Sequence, residues 1–552
     1  MNPTAAAATL NPAPLGWVLL LASIVWAMRS VREEAVPTTF RRNLLWWTIV
    51  AAALGCFRWP LLWVPHQQNP DESQLIAGAI ALAHDPVFWR SVDGGTAGPV
   101  DFFPLLPAVW ADGVTSFAVA RAISLAAIFV SLVLVGEALV VIAGTTVARI
   151  AVLPVLALFS FTTSPDFTHA STEVMPVLLL AAAGWLAARP IAVPSQTRLW
   201  LFALLVGAAP WAKLQSGPLA AALWVIVVWR ETHAGRPPSL LPLLAGVLIP
   251  TLAAFAFAFL HGQLEHLVVP FLLNNAAYVG APQFSWTGNA AAQWANATLD
   301  GYLAAWLAGA ALFSVGTLAL FRSASPTQRR TLGVASLLLA AGALSALGPR
   351  RPSLHHLQFF LLPLAWFGGI ALAIAWVRVR PMTAAIVFLA CAVAPQLAWR
   401  IFGADSFAAI NSSHPTAAHA QLAELVRRFS TPEEPLAIWG WRTSLYVEAG
   451  RRQATRQAHT EAQIYASQWQ RYFLQRYLED FQAANPPVFV DAVGPGNFAF
   501  ESPQFAHEAF PPLREWVRAH YTLVAPLDGT RLFVRNDRLA AAKLALPSVP
   551  AP

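Results

Sequence analysis

The stretch FAVARAISLAAIFVSLVLVGEALVVI at residues 117–142 decides the fold class, because it carries only two charged side chains, Arg121 and Glu137. A helix needs about 20 mostly apolar residues to cross the hydrocarbon core of a bilayer, so the stretch predicts a transmembrane helix. Outward from it, the same criterion identifies further apolar segments, some of them short: 15–28, 43–64, 147–163, 173–188, 199–212, 217–230, 240–260, 302–321, 331–348, 357–377 and 381–400.

The composition indicates a membrane protein with a soluble end. Of the 552 residues, 57% are hydrophobic and 11% are charged, whereas soluble domains average about 25% charged residues. Residues 1–400 hold nearly all the apolar runs, and residues 401–552 resemble ordinary soluble sequence. We therefore predict a polytopic α-helical membrane domain with about 12 transmembrane helices, followed by a small extracytoplasmic α/β domain.

Charge and cysteine content exclude several classes. The net charge of +7 comes mostly from arginines that lie in short clusters between apolar segments. That pattern is typical of membrane topology rather than of nucleic-acid binding. The two cysteines, Cys56 and Cys391, are too few for a disulfide framework.

The loop arginines predict the orientation. One set of loops is rich in arginine, from Arg29 and Arg32 to Arg378 and Arg380, whereas the opposite set carries only Arg90, Lys213, Arg350 and Arg351. Basic loops stay in the cytoplasm. Both termini, the C-terminal domain and the long loops 65–116 and 261–301 are therefore expected outside. Alanine and arginine richness indicates a bacterium, so we predict a multi-pass protein of the bacterial inner membrane with a periplasmic domain.

Secondary structure can be predicted in the outer parts. Residues 72–83 are apolar at helical spacing, which predicts a helix on the membrane surface. In the C-terminal domain, 416–429 and 460–484 read as helices, 435–439 and 487–492 as strands, and 521–535 as a hairpin around Asp528-Gly529.

The acidic pair Asp71-Glu72 is the candidate catalytic motif. It follows Asn69-Pro70 in the first outer loop, where the proline fixes the start of the predicted helix. One carboxylate at this position can take a proton from an acceptor hydroxyl. The alternative interpretation is plain capping of the helix by acidic residues.

Four further motifs accompany this pair: a proline-rich return GPVDFFPLLP at 98–107, Ala120-Arg121 at the start of a helix, WAKLQSGP at 211–218, and RRPSLHH at 350–356. With these five features, the chain resembles the C-type integral-membrane glycosyltransferases. Within them it looks like the bacterial branch related to protein O-mannosyltransferases and aminoarabinose transferases. It departs from that branch at Asp101, where a proline pattern is usual, and at His355-His356, where His-Tyr is usual.

The resemblance implies an inverting glycosyltransferase that moves a hexosyl or pentosyl group from a polyprenyl-phosphate donor to a lipid, glycan or protein acceptor of the cell envelope. In this hypothesis Asp71 is the general base and Glu72 orients it or contacts the acceptor. Asp101 and Arg121 are further outer-loop candidates. The leaving group is a lipid phosphate, so cations must stabilise its charge.

Lys213 is the first candidate for binding the donor phosphate, since it is the only lysine in the membrane half of the chain. A snorkelling lysine at a helix end is the alternative. Arg350 and Arg351 are also candidates because they break the positive-inside pattern, with interfacial anchoring as the alternative.

His355 and His356 could contact the phosphate or the sugar. Adjacent histidines are expected to point in different directions, which argues against joint metal ligation. Asp166, His169 and Glu173 form a second acidic position. His169 and Glu173 are four residues apart and could ligate a divalent metal from one helical face, although a structural cap is the alternative. A divalent metal is therefore a candidate cofactor.

Aromatic and amide residues of the outer parts suit sugar recognition. Trp286, Trp294 and Asn274-Asn275 lie in the loop 261–301, where an interfacial aromatic belt is the alternative. Trp439 and Trp441 lie in a C-terminal motif that also resembles the family, and a core position is expected for Trp439.

Two other functions stay open for a chain of this kind. A transporter or flippase of envelope lipids or glycans also has about 12 helices, but such proteins show internal repeats that this sequence lacks. A non-catalytic envelope scaffold is the second alternative. If neutralising the acidic loop left function intact, the scaffold would be favoured.

Overall fold

The computed structural model describes residues 11–32, 40–189, 195–233, 240–280, 283–321, 325–403, 417–527 and 529–545. The chain forms two compact units. The helical unit comprises Met1–Val64, Arg121–Ala254 and Ala277–Ser412. The mixed unit comprises Pro65–Ala120, Phe255–Ala276 and Ser413–Pro552. This division differs from a boundary at residue 400, because the first outer loop and part of the second belong with the C-terminal domain.

Helices dominate both units. In chain order they are α1 (Ala13–Arg32), α2 (Phe40–Leu62), α3 (Pro70–His84), α4 (Pro99–Phe102), α5 (Leu106–Asp112), α6 (Phe117–Ala143), α7 (Thr145–Phe161), α8 (Pro165–Thr168), α9 (Val174–Ala188), α10 (Gln196–Ala212), α11 (Gly217–His233), α12 (Leu240–Leu260), α13 (Leu264–Leu267), α14 (Asn275–Gly280), α15 (Trp286–Asp300), α16 (Tyr302–Phe321), α17 (Pro326–Leu347), α18 (Gln358–Arg378), α19 (Pro381–Ala392), α20 (Ala394–Phe402), α21 (Ala417–Phe429), α22 (Ser444–Ala449), α23 (Glu461–Ile464), α24 (Gln470–Ala484), α25 (Pro511–His520) and α26 (Asn536–Ala545).

The helical unit is that of a multi-pass membrane protein. Every apolar segment predicted from the sequence falls on a helix. Within the described residues, 6 helices are long and apolar enough to cross a bilayer, and a seventh span results if the bent pair α19–α20 is counted as one. The helices α7 and α9 are apolar but shorter. The predicted count of about 12 crossings is therefore not confirmed, because several segments end too soon to span 30 Å at 1.5 Å per residue.

Small residues let the helices of this unit approach closely. A Cβ added to Gly309 of α16 would lie 1.7 Å from the carbonyl oxygen of Cys391 in α19. A Cβ on Gly207 of α10 would lie 2.3 Å from the carbonyl oxygen of Val247 in α12. Membrane helices pack in this way because lipid supplies little hydrophobic drive for their association, so close van der Waals contact must hold them together.

The mixed unit contains one four-stranded sheet. Its strands are β1 (Leu436–Gly440), β2 (Val488–Ala492), β3 (Tyr521–Leu527) and β4 (Thr530–Arg535), in the order β1-β2-β4-β3. β1 and β2 are parallel, and the other pairs are antiparallel. The predicted strands and hairpin are confirmed. Gly529 takes the positive φ of the turn, +68°, and Asp528 lies outside the described residues. The predicted helix 460–484 is instead broken into α23 and α24.

The acidic motif begins α3. Asn69 caps the helix, because its Oδ1 accepts a hydrogen bond from the backbone N–H of Asp71 at 3.0 Å, and Pro70 occupies the first turn. The helix confirms the sequence prediction, but its environment does not. Most of α3 is buried, and Ala77 joins a core that includes Leu422 and Ile438. It is therefore a core helix of the mixed unit, not a surface helix with one apolar face against lipid.

Candidate active site

Lys213 and Glu173 form a buried ion pair in the helical unit, and further polar side chains extend this pair into a cluster. Lys213 ends α10, just before a 3₁₀ turn (Leu214–Ser216) leads into α11, and Glu173 caps the start of α9. The Lys213 ammonium pairs with the Glu173 carboxylate and donates to Thr172 Oγ1 at 2.7 Å. Both side chains are almost fully excluded from solvent, at 3% and 0% exposure. Ions so buried need such partners, since desolvation costs several kcal/mol per ion.

His355 extends the cluster to a second carboxylate. It lies in a 3₁₀ turn (Leu354–Leu357) before α18, and its Nδ1 is 2.9 Å from Asp166 Oδ1. Its Nε2 is 3.9 Å from Glu173 Oε1. Burial alone would raise the pKa of Asp166, but the hydrogen bond with His355 and the electrostatic effects of His355 and His169 together outweigh burial and lower it. Asp166, His355, Glu173 and Lys213 therefore form one continuous chain of polar contacts.

The geometry of the histidines differs from the prediction. The rings of His355 and His356 lie side by side, with centroids 4.7 Å apart. One ligand atom from each, together with one from Glu173, falls within 4.8 Å, a spacing that fits a metal ion. His169 follows the end of α8 in extended conformation and does not share a helix with Glu173. The tight 3₁₀ turn explains why neighbouring histidines converge here.

Two imidazole nitrogens and a carboxylate suit a divalent transition metal. The Nδ1 of His356 and the Nε2 of His169 are buried without a hydrogen-bond partner among the residues that the structure describes. A metal at Glu173 would, however, compete with the Lys213 ammonium for the same carboxylate oxygen, Oε1. The donor set thus fits a metal that shares Glu173 with lysine or displaces it.

Arg350 and Arg351 have aromatic partners. The guanidinium of Arg350 lies 5.6 Å from the ring centroid of Trp286, and that of Arg351 lies 3.9 Å from the ring centroid of Tyr278. Arg350 also donates to the carbonyl of Val279 at 3.4 Å. These cation–π contacts match the anchoring alternative better than a phosphate site.

Arg121 and Asp101 are both buried, at 2% exposure each. Arg121 donates to the carbonyls of Leu61 and Val64, at 3.3 Å and 2.6 Å, and so closes the end of α2. Asp101 lies in α4 of the mixed unit. The backbone contacts of Arg121 indicate a structural role, whereas the candidate role of Asp101 stays a prediction.

The sequence reasoning missed Arg58. It is 3% exposed and donates to the carbonyls of Thr162 and Phe167, at 3.4 Å and 2.6 Å. It thereby fixes the segment that carries Asp166. The signal was present, because Arg58 is a charged residue inside a predicted membrane segment, and such residues mark functional sites.

The two carboxylates of the acidic pair, Asp71 and Glu72, have different environments in the mixed unit. Glu72 is fully buried, and its Oε2 accepts a hydrogen bond from the backbone N–H of Gln68 at 3.2 Å. It therefore ties the first turn of α3 to the segment that precedes the helix. Asp71 is only partly buried, so it is the member of the pair that solvent can reach.

Other aromatic and amide candidates have structural contacts. Trp439 is fully buried and donates from Nε1 to the carbonyl of Phe505 at 2.8 Å, which confirms the expected core position. Asn275 donates to the carbonyls of Gly95 and Phe271. Trp294 is 47% exposed.

An apolar cavity adjoins the polar cluster within the helical unit. It lies between α6, α7, α9 and α18, is partly open, and is lined by Leu132, Phe159, Leu361 and others. Two of its lining residues follow the cluster directly in sequence: Val174 comes after Glu173, and Gln358 comes two residues after His356. The cavity therefore places apolar space beside buried charges.

No protein-family model matches the sequence, and no curated protein is significantly similar to it. Its structure is similar to the crystal structure of ArnT from Cupriavidus metallidurans bound to undecaprenyl phosphate, with TM-score 0.60 and 13% identity over 91% of this chain and 99% of that chain. The apo structure of that protein has TM-score 0.42 and 12% identity, covering 92% of this chain and 100% of that chain. The Archaeoglobus fulgidus oligosaccharyltransferase in complex with zinc and sulfate has TM-score 0.43 and 11% identity, covering 88% of this chain and 73% of that chain. The TM-scores of these last two matches are below 0.5, so we infer nothing about the fold from them. The chain therefore shares the fold of the ArnT structure that contains undecaprenyl phosphate.

Proposed function

We propose that this protein is a glycosyltransferase that moves a sugar from a polyprenyl-phosphate donor to an acceptor hydroxyl on the extracytoplasmic side of the bacterial inner membrane, with inversion. The observation that carries the proposal is the buried cluster around Lys213, in a fold shared with a protein crystallised with undecaprenyl phosphate. Each feature of the donor has a counterpart in the helical unit.

The lipid chain of the donor needs apolar space next to a cation. The cavity lined by Val174 and Leu132 suits a segment of isoprenoid chain. The Lys213 ammonium uses two of its three donor hydrogens on Glu173 and Thr172, which leaves the third for a phosphate oxygen. Glu173 thus orients the lysine and offsets the desolvation of its ammonium group.

The charge of the cluster sets a further requirement. One ammonium and two carboxylates, Lys213 with Glu173 and Asp166, leave one net negative charge when the histidines are neutral. A sugar on a polyprenyl phosphate is itself a monoanionic phosphodiester. Binding it therefore adds a second negative charge, which further positive charge would have to offset. A divalent metal held by Glu173, His355 and His356 would supply such charge.

Asp71 is the proposed base. As the acceptor oxygen attacks the anomeric carbon, the carboxylate takes the hydroxyl proton. A new glycosidic C–O bond forms, the bond from the anomeric carbon to the phosphate oxygen breaks, and the electron pair leaves with the polyprenyl phosphate. A single displacement inverts the anomeric configuration. Buried Glu72 holds the first turn of α3 in place for Asp71.

The test is a transfer assay in membranes that contain the full chain, with radiolabelled polyprenyl-phosphate sugars. We expect Asp71→Asn and Lys213→Ala to lose transfer by a factor of about 100 or more. Asp112→Asn, an exposed carboxylate in the same loop, is the control for Asp71. Gln215→Ala, in the turn after Lys213, is the control for Lys213.

A fully active Asp71→Asn protein excludes this base. Full activity of Lys213→Ala excludes the proposed phosphate site. If no sugar is transferred by the wild type while membranes still require the protein for export of an envelope lipid, the transporter alternative is favoured.

A further inference from the structure

The carboxyl ends of the parallel strands β1 and β2 carry a second cluster, all of it within the mixed unit. β1 ends at Gly440, whose φ of +99° turns the chain into Trp441. In open α/β sheets, ligands bind in the crevice outside the carboxyl ends of the strands. The proposed chemistry in the helical unit does not use this cluster.

The segment after β1 packs against the start of the helix that carries the proposed base. The hydroxyl oxygens of Thr443 and Ser73 are 2.7 Å apart. Thr443 also donates to the carbonyl of Pro70 at 3.2 Å. Since Pro70 precedes Asp71, these contacts bring the Trp441 segment next to the N-terminal end of α3, which carries Asp71.

Aromatic rings form a platform here. Trp441 stacks on His459 with centroids 3.9 Å apart and planes 7° apart, and the edge of Phe498 meets Trp441 at 5.1 Å. Phe498 is 52% exposed and Tyr465 is 41% exposed. The hydroxyl of Tyr465 donates to the carbonyl of Ala499, the residue after Phe498, at 3.5 Å. Two exposed aromatic rings thus lie near the partly buried Trp441, and exposed apolar surface of this kind marks candidate binding sites.

Hydrogen-bond donors accompany the rings. Nδ1 of His459 accepts from the backbone N–H of Glu461 at 3.3 Å, so the neutral ring carries its proton on Nε2. Burial lowers the pKa of His459 to about 4, and the nearby Asp71 charge only partly opposes that shift. The Nε1 of Trp441 is buried without a hydrogen-bond partner among the residues that the structure describes.

We propose that Trp441, His459 and Phe498 form the acceptor subsite, which binds a sugar ring of a carbohydrate acceptor and presents its hydroxyl to Asp71. This rests on the proposed function and names its acceptor class. A sugar ring has an apolar face of C–H groups and a rim of hydroxyls. The aromatic rings of the platform can contact the apolar face, and its N–H donors can bind the hydroxyls. Small-molecule sites commonly combine an apolar lining with a few well-placed polar groups in this way. A lipid chain would leave those donors unpaired, which is costly.

The chain provides a matched control. Trp516 and His520 form a second tryptophan–histidine stack in the mixed unit, with centroids 3.8 Å apart, on α25. Trp516→Ala therefore removes the same kind of contact from a different place. Trp441→Phe keeps an aromatic face at the proposed subsite.

The experiment measures transfer kinetics of the full chain in membranes, with acceptor and donor varied separately. We expect Trp441→Ala and Phe498→Ala to raise the KM for acceptor roughly tenfold each, as for the loss of one stacking contact, with little change in kcat or in the KM for donor. Trp441→Phe should recover most of the loss, and Trp516→Ala should behave as wild type. Chitobiose and mannobiose, used as probes, should inhibit competitively against the acceptor, and less so in Trp441→Ala.

The outcomes separate the two proposals. If the wild type transfers sugar but the KM for acceptor is unchanged in both platform variants, the subsite is wrong and the proposed function stands. If the variants act on KM while neither disaccharide competes and a hydroxyl-bearing peptide does, the acceptor is a peptide and the carbohydrate assignment is overturned. If the wild type transfers nothing to any acceptor, the proposed function itself fails.

Discussion

Replacing Lys213 by methionine separates the structural role of the buried ion pair from its role in binding phosphate. Methionine keeps much of the length of the side chain but has no charge. The Glu173 carboxylate, at 0% exposure, then loses its ammonium partner. The double variant Lys213→Met with Glu173→Gln removes both charges and leaves a neutral pair.

The magnitude follows from the burial of both partners. Removing one member of a buried ion pair costs about 3–5 kcal/mol, because the remaining charge stays desolvated, whereas removing both is often close to neutral. We therefore expect Lys213→Met to be destabilised by that amount and the double variant to recover most of it. The two substitutions should show a coupling of about 2 kcal/mol or more.

Activity should follow a different pattern. The double variant regains stability but still lacks the cation for the donor phosphate, so transfer should stay lower by a factor of about 100 or more. The assays are thermal unfolding of the purified protein in detergent and sugar transfer in membranes. Arg427→Met breaks the exposed pair with Glu424 and should change stability by less than about 1 kcal/mol.

Two results would refute this reasoning. An unchanged unfolding temperature for Lys213→Met would show that the ion pair is not buried as described. Transfer at the wild-type rate by the stable double variant would show that Lys213 serves the fold alone.

Further predictions concern the base, the extra charge, the arginines and the acceptor histidine. Glu72→Gln should lower the unfolding temperature but retain measurable transfer, whereas Asp71→Asn should unfold as wild type and transfer nothing. Chelation by EDTA should abolish transfer, with recovery on adding zinc or manganese, if a metal supplies the missing positive charge. Transfer that survives EDTA would exclude a metal as the source of that charge. Arg351→Ala should change transfer less than about threefold, since its guanidinium lies on Tyr278. The pKa of His459 falls from 6.5 to about 4 on folding, so the unfolded chain binds the proton more readily and this residue costs stability as pH falls below 6.5. Unfolding measured across pH 4–7 should show that loss reduced in His459→Gln.

The membrane class could be predicted from sequence because it depends on local composition. The long apolar runs of residues 1–400 fold into helices, since the bilayer core forces backbone groups to bond within one segment. Segments such as 117–142 were therefore placed within a few residues. The number of crossings could not be predicted in the same way, because α7 and α9 are apolar but short.

The C-terminal strands can also be predicted from sequence, since 435–439 and 487–492 are short apolar runs bounded by turn residues. Their parallel pairing cannot be predicted in this way, because pairing depends on contacts between residues distant in sequence. The sequence predicts the helix at 72–83 correctly but predicts the wrong environment for it, a membrane surface instead of a protein core. An amphipathic pattern states which face is apolar, not whether lipid or protein covers it.

The candidate site divides along the same line. Lys213 could be identified because a lone lysine in an arginine-rich membrane chain is visible in the sequence. Its partner Glu173 and the link from His355 to Asp166 join positions 40 and 189 residues apart. The aromatic partners of Arg350 and Arg351 cannot be read from the sequence either, because Trp286 and Tyr278 lie more than 60 residues away in the chain.

The sequence by itself determined where helices and strands form, which segments are apolar enough for lipid, and which residue types could do the chemistry. These properties depend on neighbours within a few residues. The tertiary structure decided which charges are buried together, that Glu72 is buried while Asp71 is partly exposed, and that Trp441 stacks on His459. Those outcomes depend on desolvation and close packing between segments far apart in the chain, where free energy is set by the partner that arrives and not by the local pattern.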